Sequence, residues 1–142
     1  MICGEAAFRA ALALRESGFT PNVIDAHPFE KKKLRDIFFD EVKGQFAAGD
    51  LNRLHSLGDI PYQHFLPLLQ LSTVHVYLTY PFILSWSLLE AMSVGCAIIA
   101  SDTQPVREAI MENESGRMLS FFDPRALADG VCDLLDQPEE RA

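Results

Sequence analysis

Glu90 stands alone. It is the only charged residue in the stretch YPFILSWSLLEAMSVGCAIIAS, residues 80–101, and no Asp, Glu, Lys or Arg occurs between Asp59 and Glu90. An isolated carboxylate can accept two hydrogen bonds from vicinal hydroxyls, such as those of a ribose. The residues before it read as the end of a strand followed by the start of a helix. Free backbone amides point outward at such a junction and favour an anion such as a diphosphate. An ordinary helix carboxylate, favoured by the dipole near a helix start, fits the same spacing. The local sequence leaves both readings open.

Other chemistries find little support. The sequence has no Gly-x-Gly-x-x-Gly or Walker-type phosphate loop and no Gly-x-Ser-x-Gly elbow. His27, His55, His64 and His75 lack metal-ligand spacing, and no metal site is expected. Cys3, Cys96 and Cys132 are odd in number and widely separated. That pattern suits reduced thiols in a cytoplasmic protein better than a disulfide framework. The opening residues, interrupted by Glu5 and Arg9, do not form a signal peptide.

The elements that must position Glu90 follow from composition and periodicity. The 142 residues are 49% hydrophobic and carry a net charge of −8, which suits one ordinary domain with a sizeable core. The negative charge argues against a nucleic-acid partner, and the run Lys31–Lys33 reads as a solvated helix face. The uncharged window before Glu90 is long enough to span a bilayer. However, Pro61, Pro67 and Pro81 break it, so a buried helix–strand–helix series is expected and a membrane span is not.

Helices are expected over 4–17, 30–46, Pro61–Ser72, 84–94, Pro105–Met111 and from Asp123 through Gln137. Gly18 and Gly95 are placed as helix stops, and 47–50 as a loop. Strands are expected at 22–26, 52–58, 74–79, 96–101 and after the Gly116 turn. In 74–79, Val74, Val76 and Leu78 alternate with His75, Tyr77 and Thr79. From Asn52 onward strands and helices alternate with short links. This predicts an α/β fold: a Rossmann-like parallel sheet flanked by helices. In such a sheet ligands bind beyond the carboxyl ends of the strands, so the junctions 58–61, 79–85 and 101–105 matter most.

The wording of the second half is more specific. The segment VHVYLTYPFILSWSLLEAMSVGCAIIASDTQPVREAIMENESGRMLSFFDPRALADGV resembles the donor-binding half of retaining GT-B glycosyltransferases, closest to the glycosyl transferase group 1 family (family 4). The family pattern is a strand, then Glu-Gly-Phe-Gly, then a helix carrying a second Glu eight positions after the first. It continues with Ala-Met, a Gly-Cys or Gly-Thr turn and a strand ending Ser-Asp. LNRLHSLGDIPYQHFLPLLQLS resembles the segment just upstream, and the likeness covers about residues 31–138. LLEAM, SD…PVREAI and FFDPRALAD carry it together.

This resemblance implies one half of a GT-B fold. It implies transfer of a hexose from a nucleotide-diphosphate sugar with retained configuration, and needs no metal or other cofactor. Glu90 matches the Glu that holds the ribose. Ile83, Leu84 and Ser85 match the loop whose amides face phosphate and sugar. Gly58, Ile60 and Pro61 match a loop near the nucleobase. Phe82 stands where the family has its first Glu, and Ile83 and Ser85 replace two glycines.

No catalytic residue is assigned, and the acceptor is unknown. Residues 1–30 resemble a helix–strand remnant of the N-terminal acceptor domain, and 31–142 the nucleotide-sugar-binding domain. The expectation is therefore a truncated or internally deleted enzyme. The alternative is a non-catalytic nucleotide-sugar-binding or interaction module that needs a partner domain or chain.

Overall fold

Successive side chains along each strand point to opposite faces of the central sheet, and both faces are apolar. Residues 16, 18, 23–25, 40, 43–58, 60–79, 84–112 and 114–137 are described by the computed structural model. The expected helix over 4–17 lies almost wholly outside them, as does most of 30–46. Three strands, β3 (Val74–Tyr77), β4 (Ala97–Ser101) and β5 (Arg117–Leu119), form a parallel sheet in the order β3-β4-β5. Two further strands, β1 (Val23–Asp25) and β2 (Leu54–Ser56), pair in parallel as a separate ladder.

The expected sheet was continuous from 52–58 onward, but β2 bonds to β1 instead of joining β3. β2 is only three residues long, because Asn52 and Arg53 form a turn and Gly58 follows with φ +66°. Its ladder groups are met by the equally short β1, Val23 facing Leu54 and Asp25 facing Ser56. The pairing ties residues 23–25 to residues 54–56.

Five α-helices are present among the described residues: α1 (Ala48–Leu51), α2 (Tyr62–Leu71), α3 (Trp86–Ser93), α4 (Gln104–Arg107) and α5 (Pro124–Asp136). The expected loop at 47–50 is corrected by α1. There the Asp50 carboxylate accepts from the Ala47 amide at 3.1 Å and satisfies one exposed donor of the first turn. α5 starts as the sequence suggests. Asp123 Oδ1 accepts from the Ala126 amide at 2.9 Å, and Pro124 occupies the first turn, where its missing N–H is harmless. α4 ends at Arg107, short of the Met111 expected from sequence.

The sheet divides the core. On one face Val74, Val76, Leu78, Ile99 and Leu119 pack with Leu127, Ala128, Val131 and Leu134 of α5. On the other, Tyr77, Ile98 and Ala100 pack with Leu69 of α2, Leu88 and Ala91 of α3, and Val106 and Ile110 at α4 and just beyond it. Gly95 closes α3 with φ +78°, as the sequence implies. Gly116 has a different reason from the turn assigned to it. A Cβ there would lie 3.1 Å from Ile98 Cβ and 3.2 Å from the Ile98 carbonyl, so a side chain at this close approach would crowd β4. No helix among the described residues is long and apolar enough to cross a membrane.

Candidate functional site

The carboxyl ends of β3 and β4 are tied by one side chain. Ser101, fully buried, donates from Oγ to the Thr79 carbonyl at 2.8 Å and accepts from the Thr79 amide at 2.9 Å. It continues the ladder where the strands end, and holds the chain as it leaves β3. The chain re-enters the described residues at Leu84 and starts α3 at once. Ser85 is the N-cap, and its Oγ accepts from the Ser87 amide at 3.3 Å. The Ser85 amide in turn donates to the phenolic oxygen of buried Tyr77 at 3.0 Å. A tyrosine on β3 thus fixes where α3 begins.

Phe82 and Ile83 lie outside the described residues. Leu84 is half-buried and packs on the core beneath α3. The Ser85 amide points toward Tyr77 in this structure. Gly58 takes the left-handed conformation, Ile60 is half-buried, and exposed Pro61 sits immediately before α2. The two loops therefore lead into two neighbouring helices that pack on the same face of the sheet.

Glu90 lies on the second of these helices. It is the fifth residue of α3 and half-buried, and the first turn of α3 holds no acid. A helix dipole acts mainly within the first turn, so it gives little reason for a carboxylate at this depth. Interaction with the Glu90 carboxylate raises the pKa of Tyr62, the first residue of α2, above its usual value.

Ser101 opens the 101–105 junction expected from sequence, but its bonds to Thr79, and the role of Tyr77, depend on partners on another segment that sequence spacing does not reveal. Past β4, Arg107 binds Asp102 through two bonds, Nε to Oδ1 at 2.5 Å and Nη2 to Oδ2 at 2.8 Å. This pairing holds the Asp102 carboxyl below its ordinary range. No group of His, Cys, Asp or Glu among the described residues could hold a metal ion.

A parallel sheet flanked by helices, with a strand-to-helix junction followed by an acid, defines a Rossmann-like half of a GT-B fold. The family described as Glycosyl transferases group 1 matches residues 41–142, and the chain belongs to that family. Among solved structures, the sucrose-phosphate synthase (tll1590) from Thermosynechococcus elongatus is similar, with a TM-score of 0.77 and 18% sequence identity. The match covers 96% of this chain and 35% of the synthase chain. No curated protein matches the sequence.

Proposed function

We propose that this chain supplies the donor-binding half of a glycosyltransferase that moves a hexose from a nucleotide-diphosphate sugar with retained configuration. One observation carries the reading. Glu90 is a half-buried carboxylate beyond the first turn of α3, and so beyond the main reach of the helix dipole, on the helix entered from the end of β3. A carboxylate so placed accepts the two hydroxyls of a ribose. Gly58, Ile60 and Pro61 flank the base. Phe82, Ile83, Leu84 and Ser85 form the loop nearest the phosphates and the sugar. In this reading residues 31–142 form the nucleotide-sugar side of the cleft, and residues 1–30 are a remnant of the acceptor domain. Stabilising the charge on the departing diphosphate is the dominant catalytic demand.

Calorimetry with UDP, GDP and their hexose conjugates tests the binding. One of them binds, and Glu90→Ala weakens its affinity about tenfold or more, because a charge-assisted hydrogen bond is lost. Unchanged affinity in that variant removes the ribose role.

A second reading is a binding module that completes a cleft only with a partner domain or chain. It is favoured by the share of the similar synthase that the chain spans, 35%. Hydrolysis or transfer from the bound donor separates the two. Turnover with a product of the same anomeric configuration supports the enzyme. Binding without turnover supports the module.

A further inference from the structure

We propose that Trp86, at the start of α3, is a stacking platform for a pyranose ring, either the hexose of the donor or a sugar of the acceptor. The inference rests on the nucleotide-sugar reading of this junction and adds to it a residue that meets the sugar.

Trp86 is the only tryptophan in the chain, and 80% of it is exposed. Tryptophan is on average a well-buried residue, because its ring carries a large apolar area. The helix gains nothing from it at this position. A first turn is favoured by a proline or an acid, and an indole supplies neither the restraint on φ nor the charge.

The backbone that carries the ring is fixed on both sides. Before it, the Ser85 amide is bonded to the Tyr77 hydroxyl at 3.0 Å. After it, the Ser87 amide is bonded to Ser85 Oγ at 3.3 Å, and Ser87 and Leu88 are buried. A ring on so firm a base has only its two side-chain torsions to lose when it is covered, so little ordering opposes binding.

Its place in the helix selects the ligand. Trp86 and Glu90 are four residues apart and share a face of α3. Side chains tilt toward the amino end of their helix, so the indole stands a turn nearer the mouth of the sheet than the Glu90 carboxylate. With the ribose at Glu90 and the base beside Gly58–Pro61, the indole is on the phosphate and sugar side. Its surroundings are polar: Ser85 and Ser87, whose hydroxyls lie 3.0 Å apart, flank it, and Glu90 follows one turn on. On α3 only Leu89 adds to the exposed apolar side chains, too little surface for a stable protein interface. A pyranose matches this mixture, with an apolar C–H face for the ring and hydroxyls at its rim for the polar groups.

The test uses the indole as its own reporter, since the chain has no other. Acrylamide quenching of its fluorescence is measured on the full chain alone, with UDP or GDP, with UDP-glucose or GDP-mannose, and with maltose. The free chain is expected to be quenched as an exposed indole is. Quenching falls with a hexose conjugate and not with the bare nucleotide. By calorimetry, Trp86→Ala weakens that conjugate about two- to tenfold, the range for one aromatic contact, and leaves the bare nucleotide unchanged. Trp86→Phe keeps a flat ring and recovers part of the loss. Shielding by maltose, where the conjugates bind without shielding, assigns the acceptor sugar instead.

Equal shielding by nucleotide and conjugate overturns the proposal, since the base or the ribose then covers the ring. So does an indole shielded in the free chain in proportion to protein concentration, which means a protein contact. If a conjugate binds and neither it nor maltose shields the indole, only the role of Trp86 falls. If no nucleotide or conjugate binds the unaltered chain, the nucleotide-sugar reading falls with it.

Discussion

The two faces of the β3-β4-β5 sheet use alternate residues of the same strands, yet they are built differently. The face under α5 is covered by one helix, whose contribution comes from Leu127, Ala128, Val131 and Leu134. The opposite face is covered by α2, α3 and α4, and polar groups are set into its apolar packing. Tyr77 holds the Ser85 amide there, and the Cys96 thiol donates to the Leu69 carbonyl with a sulfur–oxygen distance of 3.0 Å. Burial alone is enough to seat a single long amphipathic helix. Three shorter helices whose starts are set separately need directional bonds as well, because apolar contact fixes distance but not orientation.

The comparison breaks most visibly in the core under α5. Ile99 is fully buried there. Ile99→Ala is expected to destabilise the fold by about 2–5 kcal/mol, through lost transfer energy and the cavity left behind. Denaturant unfolding measures this. At temperatures where the variant stays folded, its nucleotide affinity matches that of the unaltered chain. A selective loss of affinity with little loss of stability would show that the α5 face also shapes the site.

The second effect belongs to the site face. His75 lies on the same side of β3 as Tyr77, and burial pushes its pKa down from 6.5 to about 3. The unfolded chain takes up a proton near pH 6.5, while the folded chain refuses it until about pH 3. Stability from this group is therefore complete above pH 6.5 and falls as the pH drops through that window. Between pH 6.5 and 5 the loss is about 2 kcal/mol. His75→Phe removes that part of the pH dependence, whatever its effect on stability at neutral pH. Equal slopes for the two proteins in urea titrations at pH 7 and pH 5 would show that His75 charges freely in the folded state.

These differences mark what could be read from sequence. Local rules sufficed for α5, where Asp123 and Pro124 announce the start, and for the end of α3 at Gly95. The alternation through Val74, Val76 and Leu78 also gave the correct inner face. Local rules failed at 47–50, because Gly49 and Asp50 look like loop residues. Only the bond from Asp50 back to Ala47 shows the helix. They also failed at Gly116, whose need is the nearness of Ile98 and not a special φ. Pairing of β2 with β1 is a tertiary choice that no window of sequence displays. The site divided in the same way. Glu90 was visible as a lone acid after a strand, whereas Tyr77 acquires its role only when β3 is brought against α3.

The smallest effect sharpens the contrast further. Tyr77→Phe keeps the buried ring and removes the oxygen that accepts from the Ser85 amide. Loss of one such bond is expected to destabilise the fold by about 1 kcal/mol. The size alone does not distinguish this from a minor packing defect elsewhere, but its location does. Ser85 caps α3, so the loss is concentrated at the first turn of that helix. Hydrogen exchange of amides around Ser85–Leu88 speeds up, while amides of α5 keep their protection. Glu90 is carried by the same helix, so ribonucleotide affinity falls by a small factor. Uniform acceleration of exchange on both sides of the sheet would instead show that the polar tie serves global stability, and that the two faces do not differ in the way their helices are held.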